Sequence, residues 1–137
     1  MPSLNRLQLN TNFNNLKYTN THVWVEDIGE NNYRVGITDF AQDELGDVVF
    51  VETPEAGKAF SQADECAVVE SVKSTSDIYC PLSGTITEVN IELEDNPDLI
   101  NSEPYSEGWI FLLKASDEAE LDELIDASSY HKLINED

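Results

Sequence analysis

Hydrophobic positions along this chain come in short bursts rather than long helical stripes. His22-Val23-Trp24-Val25 is rich in β-branched and aromatic residues and predicts a strand. Asp27 to Asn32 holds Gly29 and two adjacent asparagines, a turn, and Tyr33 to Ile37 is a second strand. Thr38 to Gly46 predicts a short helix, with Thr38 as N-cap, Asp39 favouring the positive helix start and Gly46 suiting the stop. Val48 to Val51 is a run of apolar residues and predicts a buried strand, after which Pro54 to Gly57 turns the chain.

Two similar segments follow. Cys66-Ala67-Val68-Val69-Glu70-Ser71-Val72 and Gly84-Thr85-Ile86-Thr87-Glu88-Val89-Asn90 are both β-type runs with a Glu between apolar positions. They suggest a weak duplication in which two β-motifs pack face to face. Between them, Ser74 to Asp77 form a polar cluster and Pro81 follows, marking an exposed turn and a return strand. Pro97 interrupts an acidic segment of about one helical turn, and Trp109 to Leu113 is a last strand. Ser116 is placed to cap a helix with Leu121, Leu124 and Ile125 on one face. Tyr130, Leu133 and Ile134 repeat the pattern, with a break expected near Asp126. The sum is mainly β, with a short helix after the second strand and a C-terminal helical cap. Strands this short and numerous favour a sandwich or barrel.

At 137 residues one domain is expected. Residues 1–16, with Asn5, Asn10, Asn12, Asn14 and Asn15, read as a loosely held leader, and 17–137 as the domain. The chain carries 28 acidic against 7 basic residues, a formal charge of −21. Phosphates repel such a chain, so nucleic acid and anionic membranes are disfavoured and basic protein faces favoured. No apolar run approaches the ~20 residues of a membrane span, and the first residues show no signal or transit pattern, so a cytoplasmic location is expected.

Conventional catalytic and metal-binding constellations are missing from the sequence. Cys66 and Cys80 read as buried thiols rather than a disulfide framework. Trp24 and Trp109 read as packing residues, His22 as structural and His131 as a surface residue. Lys73 is different. From residue 38 to 113 the only cations are Lys58 and Lys73, and Lys73 falls between a β-run and a polar turn. A lysine at such a tip is either an ordinary solubilising residue or an acceptor for an acylating enzyme.

Glu70-Ser71-Val72-Lys73-Ser74-Thr75-Ser76-Asp77 resembles the lipoyl-attachment motif of the glycine cleavage system H proteins. Val35 to Gln42, Leu45 to Glu52, Pro81 to Gly84, Leu99 to Asn101, Pro104-Tyr105 and Glu107 to Trp109 are similar to further blocks of that family, in order. The resemblance implies a lipoyl/biotinyl-type hybrid barrel-sandwich and a carrier rather than a stand-alone enzyme. Its implied cofactor is lipoate in amide linkage to Lys73, with Glu70, Ser71, Val72 and Asp77 as the attachment motif. The implied partners are the pyridoxal-phosphate glycine decarboxylase (P protein), the tetrahydrofolate-dependent aminomethyltransferase (T protein) and dihydrolipoamide dehydrogenase (L protein). A lipoate ligase, or an octanoyltransferase with lipoyl synthase, would modify the lysine, and a monomer suits a shuttle visiting several enzymes. The family also implies a cleft where the loaded swinging arm folds back, here on the side of Thr21, His22 and Asp77.

Two departures stand out. The family's usual His-Glu-Trp is His22-Val23-Trp24, which removes an acid and implies weaker shielding of the loaded arm. Ala63-Asp64 stands where Gly-Asp is common, so a locally different turn is expected. The alternative is an H-like lipoyl relay that donates octanoyl or lipoyl groups to 2-oxoacid dehydrogenase complexes. A biotinyl carrier would read Met-Lys-Met where this chain has Val72-Lys73-Ser74, and a noncovalent interaction protein would leave Lys73 unmodified.

Overall fold

The structure, a computed structural model, describes residues 16–135. The expected leader lies outside these residues, apart from Leu16, which is buried. In chain order the strands are β1 (Leu16–Tyr18), β2 (Val23–Gly29), β3 (Asn32–Ile37), β4 (Val48–Glu52), β5 (Ala59–Phe60), β6 (Glu65–Ser71), β7 (Thr75–Tyr79), β8 (Gly84–Val89) and β9 (Phe111–Ala115). The helices are α1 (Asp39–Leu45), the single turns α2 (Glu92–Asp95) and α3 (Leu99–Ser102), and α4 (Ala127–Asn135), with a 3-10 helix over Glu118–Glu123.

Two antiparallel sheets face each other. One runs β1-β2-β3-β9-β8-β5, and the other β4-β6-β7. Neither closes into a barrel. The two similar β-runs became β6 and β8, one in each sheet, and Val69 and Ile86 meet in the shared core with Val23, Val35, Ile78 and Phe111. A second apolar cluster lies on the other face of the large sheet, where Leu16, Tyr18, Trp24 and Tyr130 pack beneath α4. Trp24 is fully buried, donates its indole N–H to the Pro104 carbonyl at 2.8 Å, and lies over Gly36. A Cβ at Gly36 would stand 2.6 Å from the Trp24 ring, so the pair requires glycine there.

Local chemistry explains the first elements. Glu30 and Asn31 both have positive φ (56° and 65°), the conformation a tight two-residue hairpin needs, and join β2 to β3. Thr38 caps α1 by accepting from the Ala41 N–H, and Gly46, at φ 81°, ends it.

Four expectations need correction. The Val48–Val51 run is a strand but not a buried one: Val49 and Phe50 are 53% and 51% exposed. The pairing with β6 shifts between Val48 and Phe50, and such a bulge turns side chains out of the alternation. After β9 the cap is Asp117 rather than Ser116; its carboxylate accepts from the Ala119 N–H and opens a 3-10 rather than an α-helix. Leu121, Leu124 and Ile125 therefore do not share a continuous helical face, and Ile125 instead bridges to Tyr18. The break at Asp126 is real, because its carboxylate accepts from the Ser129 N–H and starts α4. Finally, Ala63 does adopt positive φ (75°), so the turn keeps its left-handed geometry with alanine carrying the strain.

Candidate functional site

Lys73 stands at the apex of the β6–β7 hairpin, exposed. Ser71 builds that apex. Its backbone N–H donates to the Ser74 carbonyl at 2.8 Å. Its hydroxyl oxygen accepts from the Lys73 and Ser74 N–H groups at 3.3 and 3.1 Å. A side chain thus does the work that a backbone carbonyl does in a simple turn. The Val72 N–H donates to the Asp47 carbonyl at 2.9 Å, tying the apex to the start of β4. Asn101 fixes that start in turn: it donates to the Gln42 side chain and the Gly46 carbonyl, and accepts from the Val48 N–H. The Lys73 stem lies over Gly46, with Cε 3.6 Å from where a Cβ would stand. The lysine is therefore an exposed side chain on a braced loop.

Beside this apex is a cleft of about 370 Å³. The β1–β2 loop contributes Thr21 and His22, α1 contributes Phe40 and Glu44, and Ser74 to Ile78 form the opposite wall. Thr21 and His22 are thereby brought together with Asp77, more than fifty positions away in sequence. Asp77 is among the residues lining the cleft. Asp77 pairs with Val68, which pairs with Glu52, so all three share the outer face of the small sheet. Asp77 also borders a separate groove containing Lys58. Ser76 pairs with the buried Val69 and belongs to the inner row. Val23 is 1% exposed and packs in the core with Ile37, so it offers the cleft no polar group.

His22 is held rather than loose. It has φ 71°, its N–H donates to the Thr19 carbonyl, and its ring lies against Phe40. Nδ1 is 2.8 Å from the Tyr130 hydroxyl, which is also 2.8 Å from the buried Thr38 hydroxyl. Burial raises the Tyr130 pKa, against a smaller lowering by the Thr38 hydrogen bond, so the hydroxyl is neutral at physiological pH. Tyr130, Glu44 and Ser76 are cleft or supporting residues that reading the sequence missed. The apolar period of the last helix flagged Tyr130 only as a packing residue.

The remaining side chains behave as expected. Cys66 and Cys80 are free and buried, and the Cys66 thiol is pushed up by its hydrogen bond to Cys80 and by burial. His131 is exposed. Among the described residues, no helix is long and apolar enough to cross a membrane, and no cluster of His, Cys, Asp and Glu could hold a metal ion.

The family model for the glycine cleavage H-protein matches residues 16–137, nearly the whole chain. The chain belongs to the glycine cleavage H-protein family. It is 54% identical over 122 residues to the glycine cleavage system H protein of Escherichia coli O7:K1, covering 89% of this chain and 95% of that one. The Photorhabdus laumondii glycine cleavage system H protein is 55% identical, with 89% and 94% covered. Among solved structures, the glycine cleavage system H protein from Mycobacterium marinum superposes with a TM-score of 0.78 at 36% identity, covering 89% of this chain and 98% of that one. The mainly β, lipoyl-type architecture expected from the sequence is thus the family's, built here as two open sheets.

Proposed function

We propose that this H-protein family member is a lipoylated carrier of the glycine cleavage system, with lipoate in amide linkage to Lys73. The observation that carries the reading is an exposed lysine on a rigidly braced hairpin apex beside a polar cleft. The residues present fit the group: the acceptor is a primary amine on an exposed side chain at the hairpin apex. Once attached, lipoate supplies a disulfide and dithiol able to carry an aminomethyl fragment and two electrons. The protein itself supplies position. The tether keeps the reactive end at high local concentration for whichever enzyme is docked, and the braced apex limits where it searches. Thr21, His22, Ser76, Glu44 and Asp77 line the cleft, and these groups would hold the amine of a loaded arm and exclude water from it. Asp77 and Glu44 add negative charge suited to an ammonium.

The carrier works with the decarboxylase, the aminomethyltransferase and dihydrolipoamide dehydrogenase, as a cytoplasmic monomer modified by a ligase or an octanoyltransferase with lipoyl synthase. It is not itself an enzyme. The lipoyl-relay reading is favoured by one observation, the burial of Val23, which leaves the cleft without an acid at that position. Aminomethyl transfer with the decarboxylase separates the two readings. The primary test is intact mass and peptide mapping after expression with lipoate and its ligase. One lipoyl increment on Lys73, absent in Lys73→Ala, is expected. An unmodified Lys73, in a host that lipoylates a control domain, refutes the reading.

A further inference from the structure

Three large apolar side chains next to Lys73 are exposed: Val49 at 53%, Phe50 at 51% and Val72 at 69%. Val49 and Phe50 are adjacent in β4, and Val72 adjoins Lys73 itself. The β4 bulge explains how the first two come to face solvent together, since it interrupts the alternation between the buried Val48 and Val51. Phe50 pairs with Glu70, and the Val72 N–H meets the Asp47 carbonyl, so the three residues belong to the stretch where β4 runs along the end of β6 that leads into the lysine. Exposed apolar residues scattered singly need no explanation, but three converging on the modified group do. Their surroundings are mostly acidic. Asp43, Asp47, Glu52 and Glu70 are close in sequence or pairing, and the one cation besides Lys73 between residues 38 and 113 is Lys58, which shares a groove with Glu52 and Asp77.

We infer that Val49, Phe50 and Val72 form the docking patch for the enzyme that acylates Lys73, which presents an apolar hollow rimmed by lysines and arginines. This rests on the lipoyl-carrier reading and identifies which partner uses this face. The reason is reach. Enzymes acting on the arm's dithiol work a full lipoyl length beyond Nζ and need not touch the protein at the lysine. The acylating enzyme must bring its acyl donor to Nζ itself. In that step the neutral Nζ amine attacks the carbonyl carbon of an acyl adenylate. The C–N amide bond forms, the C–O bond to phosphate breaks, AMP leaves with the bonding pair, and the nitrogen releases a proton. Such an enzyme inevitably contacts the residues flanking Lys73. An apolar centre with an acidic rim gives it both burial and electrostatic steering.

The test uses the full chain, a lipoate–protein ligase with lipoate and ATP, and the double variant Val49→Ser/Phe50→Ser. Ile28→Ser, which removes a comparably exposed apolar residue from β2 of the other sheet, is the control. The double variant is expected to raise the ligase KM for the apoprotein about tenfold at nearly constant kcat, a loss typical of truncating central interface residues. The KM should also rise with ionic strength, and Ile28→Ser should match wild type. Once driven to full lipoylation at high concentration, the double variant should be reduced by NADH through dihydrolipoamide dehydrogenase at the wild-type rate. An unmodified wild-type Lys73 overturns the carrier reading and this inference together. An acylated wild type with an unchanged KM in the double variant overturns the inference alone, as does an equal loss in the dehydrogenase assay.

Discussion

Removing one oxygen atom, in Tyr130→Phe, tests how the C-terminal helix supports the cleft. The Tyr130 ring stacks on Tyr18 with centroids 4.5 Å apart, and phenylalanine keeps that stacking and the burial. What goes is the hydroxyl that meets His22 Nδ1 and Thr38 Oγ1, each at 2.8 Å. Thr38 is fully buried, and its hydroxyl then keeps the bond it accepts from the Ala41 N–H. At about 1 kcal/mol net per hydrogen bond, the loss is about 2 kcal/mol. With an unfolding entropy of ~2.1 cal/mol/K per residue, that lowers Tm by about 7 °C. Urea and thermal denaturation followed by circular dichroism give the number, and a double-mutant cycle with Thr38→Val isolates the shared bond. The cycle should show a coupling of about 1 kcal/mol, because the capping loss caused by Thr38→Val cancels within it. A Tm within 2 °C of wild type, or a coupling below ~0.3 kcal/mol, would sink the argument that this hydroxyl ties α4 to the cleft.

Two further outcomes are expected. Ala63→Gly relieves a left-handed alanine, which costs ~1–2 kcal/mol, while adding unfolded-chain entropy; the net gain of about 0.5 kcal/mol should appear as a higher urea midpoint, and a lower one refutes the strain. Burial, then the neighbouring Tyr130, pushes the Tyr18 pKa up to about 12, so the folded state holds this proton more tightly than the unfolded chain. The contribution is fully present below pH ~10 and is lost as pH rises toward 12, so Tyr18→Phe should flatten the alkaline limb of a stability–pH curve; an unchanged limb contradicts this.

The legible parts of the fold were those written in local chemistry. The β2–β3 hairpin, the Thr38 cap and the Gly46 stop depend on residues within a few positions of one another; the cap and stop appeared where the sequence put them, and the hairpin turned inside the expected Asp27–Asn32 stretch but over Glu30 and Asn31 alone. The lysine at a turn between two β-runs was legible for the same reason. What escaped depended on partners distant in the chain. Four apolar residues in a row say nothing of the bulge that exposes Val49 and Phe50, because a bulge is a property of the pairing with β6. His22 and Tyr130 are 108 positions apart, and neither one's neighbours announce the contact. Glu44 and Ser76 looked like ordinary polar residues until α1 and β7 faced each other across the cleft. Ala63 adopts a conformation its side chain disfavours because the flanking backbone is pinned: its N–H donates to the Cys80 carbonyl, and the Asp64 N–H to that of Ser61.

The place of β9 governs how this chain is made. It lies between β3 and β8, near the middle of the six-stranded sheet, yet it is the last strand to be synthesised. The small sheet is encoded between residues 48 and 79, with only the short β5 of the other sheet intervening, so the lysine hairpin and its neighbour β4 can leave the ribosome complete. Until Ala115 emerges, the layer that covers them is split in two, and Val35 and Ile86 have no Phe111 or Leu113 to pack against. Pairing across such a sequence gap is slow and comes late. Birth order thus makes the C-terminal third a checkpoint: a truncated chain displays the lysine but not the folded body that gives its hairpin a fixed direction.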